Sequence, residues 1–341
     1  MAEPALLDDG GMNHSRHLDD RDGGDDTVAA IAADSITVAY GELTALDAIS
    51  IEVCRPGETV VMLGPNGAGK SSFIECVIGY RRPARGTIRV LGSDPWRAEP
   101  HWRAQLGVVL QDSRTDADLT TVEYLTMIAG YYGAGKQRVD TVVDAVGLGG
   151  HRRRRVHKLS GGQRRRVEIA AALVGDPELV ILDEPTSGLD PEARREVWSL
   201  IDDLRTRGRT VLMTTHQLDE AESLADRVIV LVDGRVLHNG SVAEFRRLAD
   251  LPSEVRLDHT NDVTVSMVAH AIATIAHDSV TVDRDHIAVR AHDPSPVLAA
   301  LAAQGLTGGL GVHTPRFEDT YFSLVERHRD RPSATSGAPR R

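Results

Sequence analysis

Apolar residues in this chain come in short bursts. β-Branched runs occur at 36–40 (ITVAY), 49–53 (ISIEV), 59–64 (TVVMLG), 86–92 (GTIRVLG) and 106–111 (LGVVLQ). They return at 179–183 (LVILD), 210–215 (TVLMTT), 227–232 (RVIVLV) and 235–240 (RVLHNG). Between the two groups, from about residue 116 to 174, the spacing is mostly helical, and PEARREVWSLIDDLRTR reads as a further helix after Asp190. Strands separated by helices predict an α/β fold with a mostly parallel sheet. The early runs at 36–64 and 86–92 lie closer together and predict an antiparallel piece beside it, so the sheet is expected to be mixed.

The rhythm changes near LPSE at 251–254. EVRLDH reads as a strand, VSMVAHAIATIA as a helix, SVTVD and HIAVRAH as strands, PVLAALAAQG as a helix and LGVHT as a strand. That order is the split βαβ motif. A last amphipathic helix, FEDTYFSLVERHR, follows. The expected organisation is a disordered acidic tail at 1–28, rich in Asp and Gly, and an α/β unit over 29–250 with a helical subdomain at about 112–174. A small C-terminal α+β unit over 252–329 and a second disordered tail at 330–341 complete it.

Bulk properties narrow the function. A chain of 341 residues with 41% hydrophobic content is long enough for roughly two domains with a sizeable core. The formal charge of −11 argues against a nucleic-acid partner, because binding a phosphate backbone needs a basic face. Cys54 and Cys76 are the only cysteines; two could pair, but a reducing cytosol is the simpler home. No stretch reaches the ~18 consecutive apolar residues of a spanning helix. The first residues lack the basic start and apolar centre of a secretion signal, so the chain is not expected to enter a membrane by itself.

The chemistry concentrates in two places. GPNGAGKS at 64–71 fits the phosphate-loop pattern, with a strand entering it and a helix leaving it. Gly64, Gly67 and Gly69 allow the backbone, with Pro65, Asn66 and Ala68 between them, to curl its N–H groups toward one phosphate chain. Lys70 brings a compact positive charge to the β- and γ-phosphates, and Ser71, followed by Ser72, offers a hydroxyl to Mg²⁺. In LVILDEP an apolar strand ends in Asp183, able to hold that Mg²⁺ directly or through water. Glu184 comes next and is placed to accept a proton from an attacking water.

A second glycine turn, LSGGQ at 159–163, precedes GGQRRRVEIAAALV, with Ser160 a candidate N-cap for that helix. With the phosphate loop and LVILDEP it carries a family resemblance: over about residues 30–245 the chain resembles the ATP-binding subunits of ABC transporters, which are P-loop NTPases. LSGGQ is the signature of that family, and here it starts twenty residues before Leu179, as the family pattern expects. The resemblance implies two such domains paired head to tail. Leu159, Ser160, Gly161, Gly162 and Gln163 of one copy would then face the γ-phosphate held by the other, the positive end of the helix stabilising its charge.

Four further assignments are implied by the same resemblance. Tyr40 looks like the aromatic that stacks on adenine, although a Tyr at a strand end also serves as packing. Gln111 looks like the glutamine that senses Mg²⁺ and joins the catalytic core to the helical region. His216 looks like the switch histidine at the γ-phosphate. Asp190 looks like the aspartate at the dimer seam, and can also cap the helix that follows it. The run HRRRRVHKLSGGQRRR reads as a solvated basic face or as a contact for anionic headgroups or an acidic partner.

TPRFEDTYFSLVERH is similar to the terminal helix of drug- and antibiotic-exporter ATPases of the daunorubicin-resistance type, through Phe317, Glu318, Asp319 and Phe322, with Phe317 and Tyr321 replacing the usual aliphatics. The resemblance implies an ATPase subunit using ATP and Mg²⁺. It would act as a homodimer or paired with another ABC ATPase, on polytopic membrane subunits at the cytoplasmic face of the membrane. The alternatives are a soluble ABC ATPase acting on ribosomes or DNA, and an importer ATPase.

Overall fold

The computed structural model describes residues 29–111, 118–248, 251–259 and 263–330. The predicted tail at 1–28, residues 331–341 of the second tail, and the start of the helical subdomain at 112–117 lie outside the described residues.

The first half of the chain runs β1 (Ile31–Tyr40), β2 (Leu43–Val53), β3 (Thr59–Leu63), α1 (Lys70–Val77), β4 (Arg85–Val90), α2 (Pro100–Arg103), β5 (Leu106–Val109), α3 (Thr121–Tyr131), α4 (Lys136–Ala145) and α5 (Gly161–Leu173). It continues through β6 (Leu179–Asp183), α6 (Pro191–Thr206), β7 (Thr210–Thr215), α7 (Leu218–Leu224), β8 (Arg227–Val232), β9 (Arg235–Ser241) and α8 (Val242–Leu248). The C-terminal part holds β10 (Ser253–Asp258), α9 (Val265–Ala271), β11 (Ser279–Val282), β12 (His286–Ala291), α10 (Pro294–Ala303), β13 (Gly311–His313) and α11 (Phe317–Arg329).

Six strands form the central sheet in the order β5-β6-β7-β3-β8-β9. Its pairs are parallel except β8 with β9, so the sheet is mixed as expected. The antiparallel piece is a separate sheet, β2-β1-β4. One detail differs from the sequence reading. TVVML at 59–63 does not join the antiparallel piece but lies in the central sheet between β7 and β8. The cause is its pattern: all five residues are apolar or small and buried, which suits a strand covered on both faces, whereas β1 and β2 alternate. The pleat divides β3 between two cores. Val61 and Leu63 face the cluster built with α3 to α8, and Val60 and Met62 face the one shared with Ile31, Phe73 and the antiparallel sheet.

The C-terminal segment forms a four-stranded antiparallel sheet, β11-β12-β10-β13, around its own cluster of Val255, Leu257, Val268, Ile287 and Leu301. This is the split βαβ arrangement. The sequence reading grouped the final helix with this unit, but α11 packs elsewhere. Phe317 and Val325 belong to the main core, and the Phe317 ring meets that of Phe245 on α8 at 4.6 Å. Thr320 Oγ1 donates to the Arg246 carbonyl at 3.4 Å. The two aromatics at 317 and 321 give α11 the bulk to reach α7 and α8.

Two outcomes follow. Phe317→Ala should lower stability by about 3–5 kcal/mol, because it empties a fully packed aromatic site; chemical denaturation measures it. Arg256 on β10 and Arg290 on β12 hold the Glu254 carboxyl below its ordinary range. A depressed carboxyl stabilises the fold above its unfolded pKa, and that share is lost as pH falls. Glu254→Gln should therefore flatten the acid limb of stability against pH, most visibly below about pH 4.3.

Candidate active site

Four neighbouring strands of the central sheet, β5, β6, β7 and β3, end on the same edge, and Gln111, Asp183, Glu184, His216 and the loop Gly64–Ser72 follow from those ends. Ligands of open parallel sheets gather there. β3 runs into the loop Gly64–Gly69, and α1 starts at Lys70. Gly69 has φ of 105°, and a Cβ there would lie 2.3 Å from the Ala45 carbonyl oxygen, so only glycine closes this turn. At Gly64 a Cβ would meet the Leu231 carbonyl oxygen at 2.1 Å. Lys70 is buried, and its Nζ donates to the carbonyls of Gly64 (2.9 Å) and Pro65 (3.1 Å).

Glu184 is the meeting point. Its Oε1 lies 3.3 Å from Lys70 Nζ. Its Oε2 accepts from Gln111 Nε2 at 3.3 Å and lies 3.2 Å from His216 Nδ1. Three motifs distant in sequence thus converge on one buried carboxylate. The backbone is held as tightly. Glu184 has φ of 45°, a left-handed conformation costing about 1–2 kcal/mol in a residue with a Cβ. Its N–H is fixed by the Thr214 carbonyl at 3.2 Å and Thr214 Oγ1 at 3.0 Å. The same hydroxyl bonds Asp183 Oδ1. Thr214 therefore orients both acids, and nothing in its own sequence neighbourhood marks it out.

Tyr40, Asn66, Gly67, Ser71, Gln111 and Glu184 line one cleft of about 300 Å³, together with Leu43 and Ala45, which sequence reading missed. The half-exposed Tyr40 hydroxyl bonds Ser72 Oγ and Glu75 Oε2, both at 3.1 Å. The Arg81 guanidinium stands 4.2 Å from the Tyr40 ring centroid and donates to Glu75, which strengthens its hold on its proton. Arg81 does not line the cleft, so it backs the ring from the side.

The signature residues stand apart: none of Leu159–Gln163 lines this cleft. Ser160 caps α5 in a reciprocal capping box, its Oγ accepting from Gln163 N and its N–H donating to Gln163 Oε1, both at 3.2 Å. Ser160 and Gly161 are exposed, while Leu159 and Gly162 are buried, Gly162 against Ala193 of α6. Asp190 caps α6, accepting from Glu192 N and Ala193 N. The basic run is partly neutralised within the chain: Arg152 pairs with Asp140 and Asp144, Arg155 with Asp118, Arg165 with Glu168 and Arg166 with Glu196. Glu220, fully buried on α7, accepts from Thr186, Thr215 and Trp198, and so ties the loop after Glu184 to the end of β7, just before His216, and to α6.

The donor set suits a hard cation. Ser71 and Asp183 offer oxygens, and Gln111 spends its amide nitrogen on Glu184, leaving its amide oxygen for a ligand. Among the described residues no group of three or more His, Cys, Asp or Glu can hold a metal.

Comparison with known proteins shows the family. The profile of a family described as ABC transporter matches residues 46–187. The chain belongs to the ATP-binding proteins of ABC transporters and is an ATPase of that class. It is 33% identical over 300 residues to Nod factor export ATP-binding protein I of Cupriavidus metallidurans, covering 84% of this chain and 94% of that one. It is 37% identical over 281 residues to the daunorubicin/doxorubicin resistance ATP-binding protein DrrA of Streptomyces peucetius, covering 80% and 84%. Among solved structures, an ATP-binding subunit of an ABC transporter superposes with a TM-score of 0.58 at 28% identity, covering 64% of this chain and 93% of that one. A dimeric bacterial ABC transporter cassette superposes with a TM-score of 0.56 at 26% identity, covering 62% and 98%.

Thr214→Val keeps the shape of the side chain but leaves Asp183 and the Glu184 N–H short of a buried partner. Urea denaturation should show a loss of about 1–3 kcal/mol.

Proposed function

We propose that this chain powers export: two copies, or one copy and a related ATPase, close head to tail on two ATP molecules and drive separate polytopic membrane subunits from the cytoplasmic face. The observation that carries the reading is the Glu184 carboxylate, in contact with Lys70, Gln111 and His216 at 3.2–3.3 Å.

The loop Gly64–Ser72 wraps the phosphates, and the adenine stacks on Tyr40 beside Leu43. The incoming γ-phosphate competes with Glu184 for Lys70 and so releases the carboxylate to act on water. A water oxygen attacks the γ-phosphorus, the bond to the β,γ-bridging oxygen breaks, ADP leaves, and the water's proton passes to Glu184. His216 donates to the γ-phosphate. Ser71, Asp183 and the Gln111 amide oxygen would hold Mg²⁺, which would supply charge neutralisation on the phosphates. Ser160 and Gly161 of the partner copy, with the amino end of α5, meet the far side of the γ-phosphate. Once phosphate leaves, that attraction is lost and the pair opens. Asp190 lies at the seam.

The export direction draws support from the Nod factor export and daunorubicin/doxorubicin resistance names of the relatives. No described helix is long and apolar enough to cross a membrane; on this reading a partner supplies the pathway. A cleft of about 360 Å³ lined by Ile78, Leu106, Tyr124, Ile128 and Tyr132 lies between the central sheet and the helical region, and suits a short helix of that partner.

Glu184→Gln tests this. With ATP and Mg²⁺ it should elute as a dimer in size-exclusion chromatography, with turnover lowered ~10²–10⁴-fold. Turnover at the unsubstituted rate would sink the base assignment. Detergent pull-down should recover a polytopic membrane protein, and ribosomes in its place would overturn the transport reading.

A further inference from the structure

Arg165 lies on the second turn of α5, five residues beyond Ser160, and is buried. A guanidinium presents its donors in one rigid plane, and here all three nitrogens are used. Nε donates to the Pro185 carbonyl at 2.8 Å. One terminal nitrogen donates to the Leu110 carbonyl at 3.0 Å and to Glu168 Oε2 at 2.8 Å. The other donates to the carbonyls of Asp183 at 3.0 Å and Glu184 at 3.3 Å.

These acceptors are not scattered. Leu110 immediately precedes Gln111. Asp183, Glu184 and Pro185 are the metal-site acid, the proposed base and its successor. The side chain therefore joins the helix that carries Ser160 at its tip to the backbone on which both Gln111 and Glu184 hang. Glu184 needs such a hold, because its backbone is left-handed: Thr214 fixes its N–H, and its carbonyl accepts from the Ser187 N–H at 3.2 Å as well as from Arg165. Glu168, itself buried, balances the charge, so the arginine needs no solvent.

We propose that Arg165 is a positioning residue that makes the signature tip of α5 and the Glu184–Gln111 pair of the same chain one rigid unit. In a head-to-tail pair each Arg165 then acts on two nucleotides: its own through Glu184, and its twin's through Ser160. This rests on the paired-ATPase reading above and adds a route between the two sites. A lysine cannot replace the fork, since one ammonium does not span carbonyls on two strand ends.

The experiment separates the trans effect from catalysis by working in the Glu184→Gln background of the full chain. ATP-driven dimerisation is measured by analytical ultracentrifugation, and ATP binding to the monomer by equilibrium dialysis. Adding Arg165→Lys should weaken dimerisation at least tenfold while monomer affinity for ATP stays within twofold. In the otherwise unsubstituted chain, Arg165→Lys should lower kcat at least tenfold with KM for ATP within twofold. Should the lysine variant fold poorly, Arg165→Met with Glu168→Met removes the buried ion pair without stranding a charge, and the same result is expected. Unchanged dimerisation, or a parallel loss of monomer ATP binding, overturns the proposal. If Glu184→Gln alone does not dimerise, the pairing reading has failed instead.

Discussion

The molecule depends on one convergence: a buried carboxylate at the carboxyl end of β6, reached from β3, β5 and β7 at once. Adjacent strands lie ~4.8 Å apart, so side chains and loops at four neighbouring strand ends can meet without any long excursion of the chain. What favours these strands in the middle of the sheet is apolar. β3, β6 and β7 are buried along their whole length, as suits strands covered on both faces. Polar chemistry is thus placed by hydrophobic packing, and the polar contacts then refine it.

Around that point the structure holds a conformation that is unfavourable in isolation. Glu184 adopts a left-handed backbone between Thr214 and Arg165, while Glu220 braces the following loop, α6 and the end of β7 through Thr186, Trp198 and Thr215. Buried polar networks of this kind are stable only when every member is satisfied. Here the threonine hydroxyl donates to Asp183 and accepts from the Glu184 N–H, and the guanidinium donates to five acceptors, so few side chains satisfy many groups.

Much of this was legible in the sequence because its signals are local. The glycine spacing of the phosphate loop, the acid pair closing an apolar strand and the serine before two glycines each report a turn that neighbouring residues dictate. The strand and helix order of both units followed from periodicity. What escaped depends on distant partners. Thr214 reads as an ordinary strand position until β6 is set beside β7, and Arg165 reads as one member of a solvated basic run until α5 packs on β5 and turns it inward to the ends of β5 and β6. Leu43 and Ala45 gain meaning only when β2 borders the cleft. TVVML was grouped with its sequence neighbours, although its unbroken apolar pattern suits a fully covered strand. The final helix was grouped by adjacency for the same reason, since nothing in FEDTYFSLVERHR names Phe245 as its partner.

That helix changes the topology of the small sheet. Because α8 leaves the large core and α11 returns to it, the four strands β10 to β13 are an insertion anchored at two points, not a pendant on a single tether. Both anchors meet at the Phe245–Phe317 contact. A module so held can be lengthened, exchanged or recruited to new partners during divergence while the ATP-binding body keeps its seam closed.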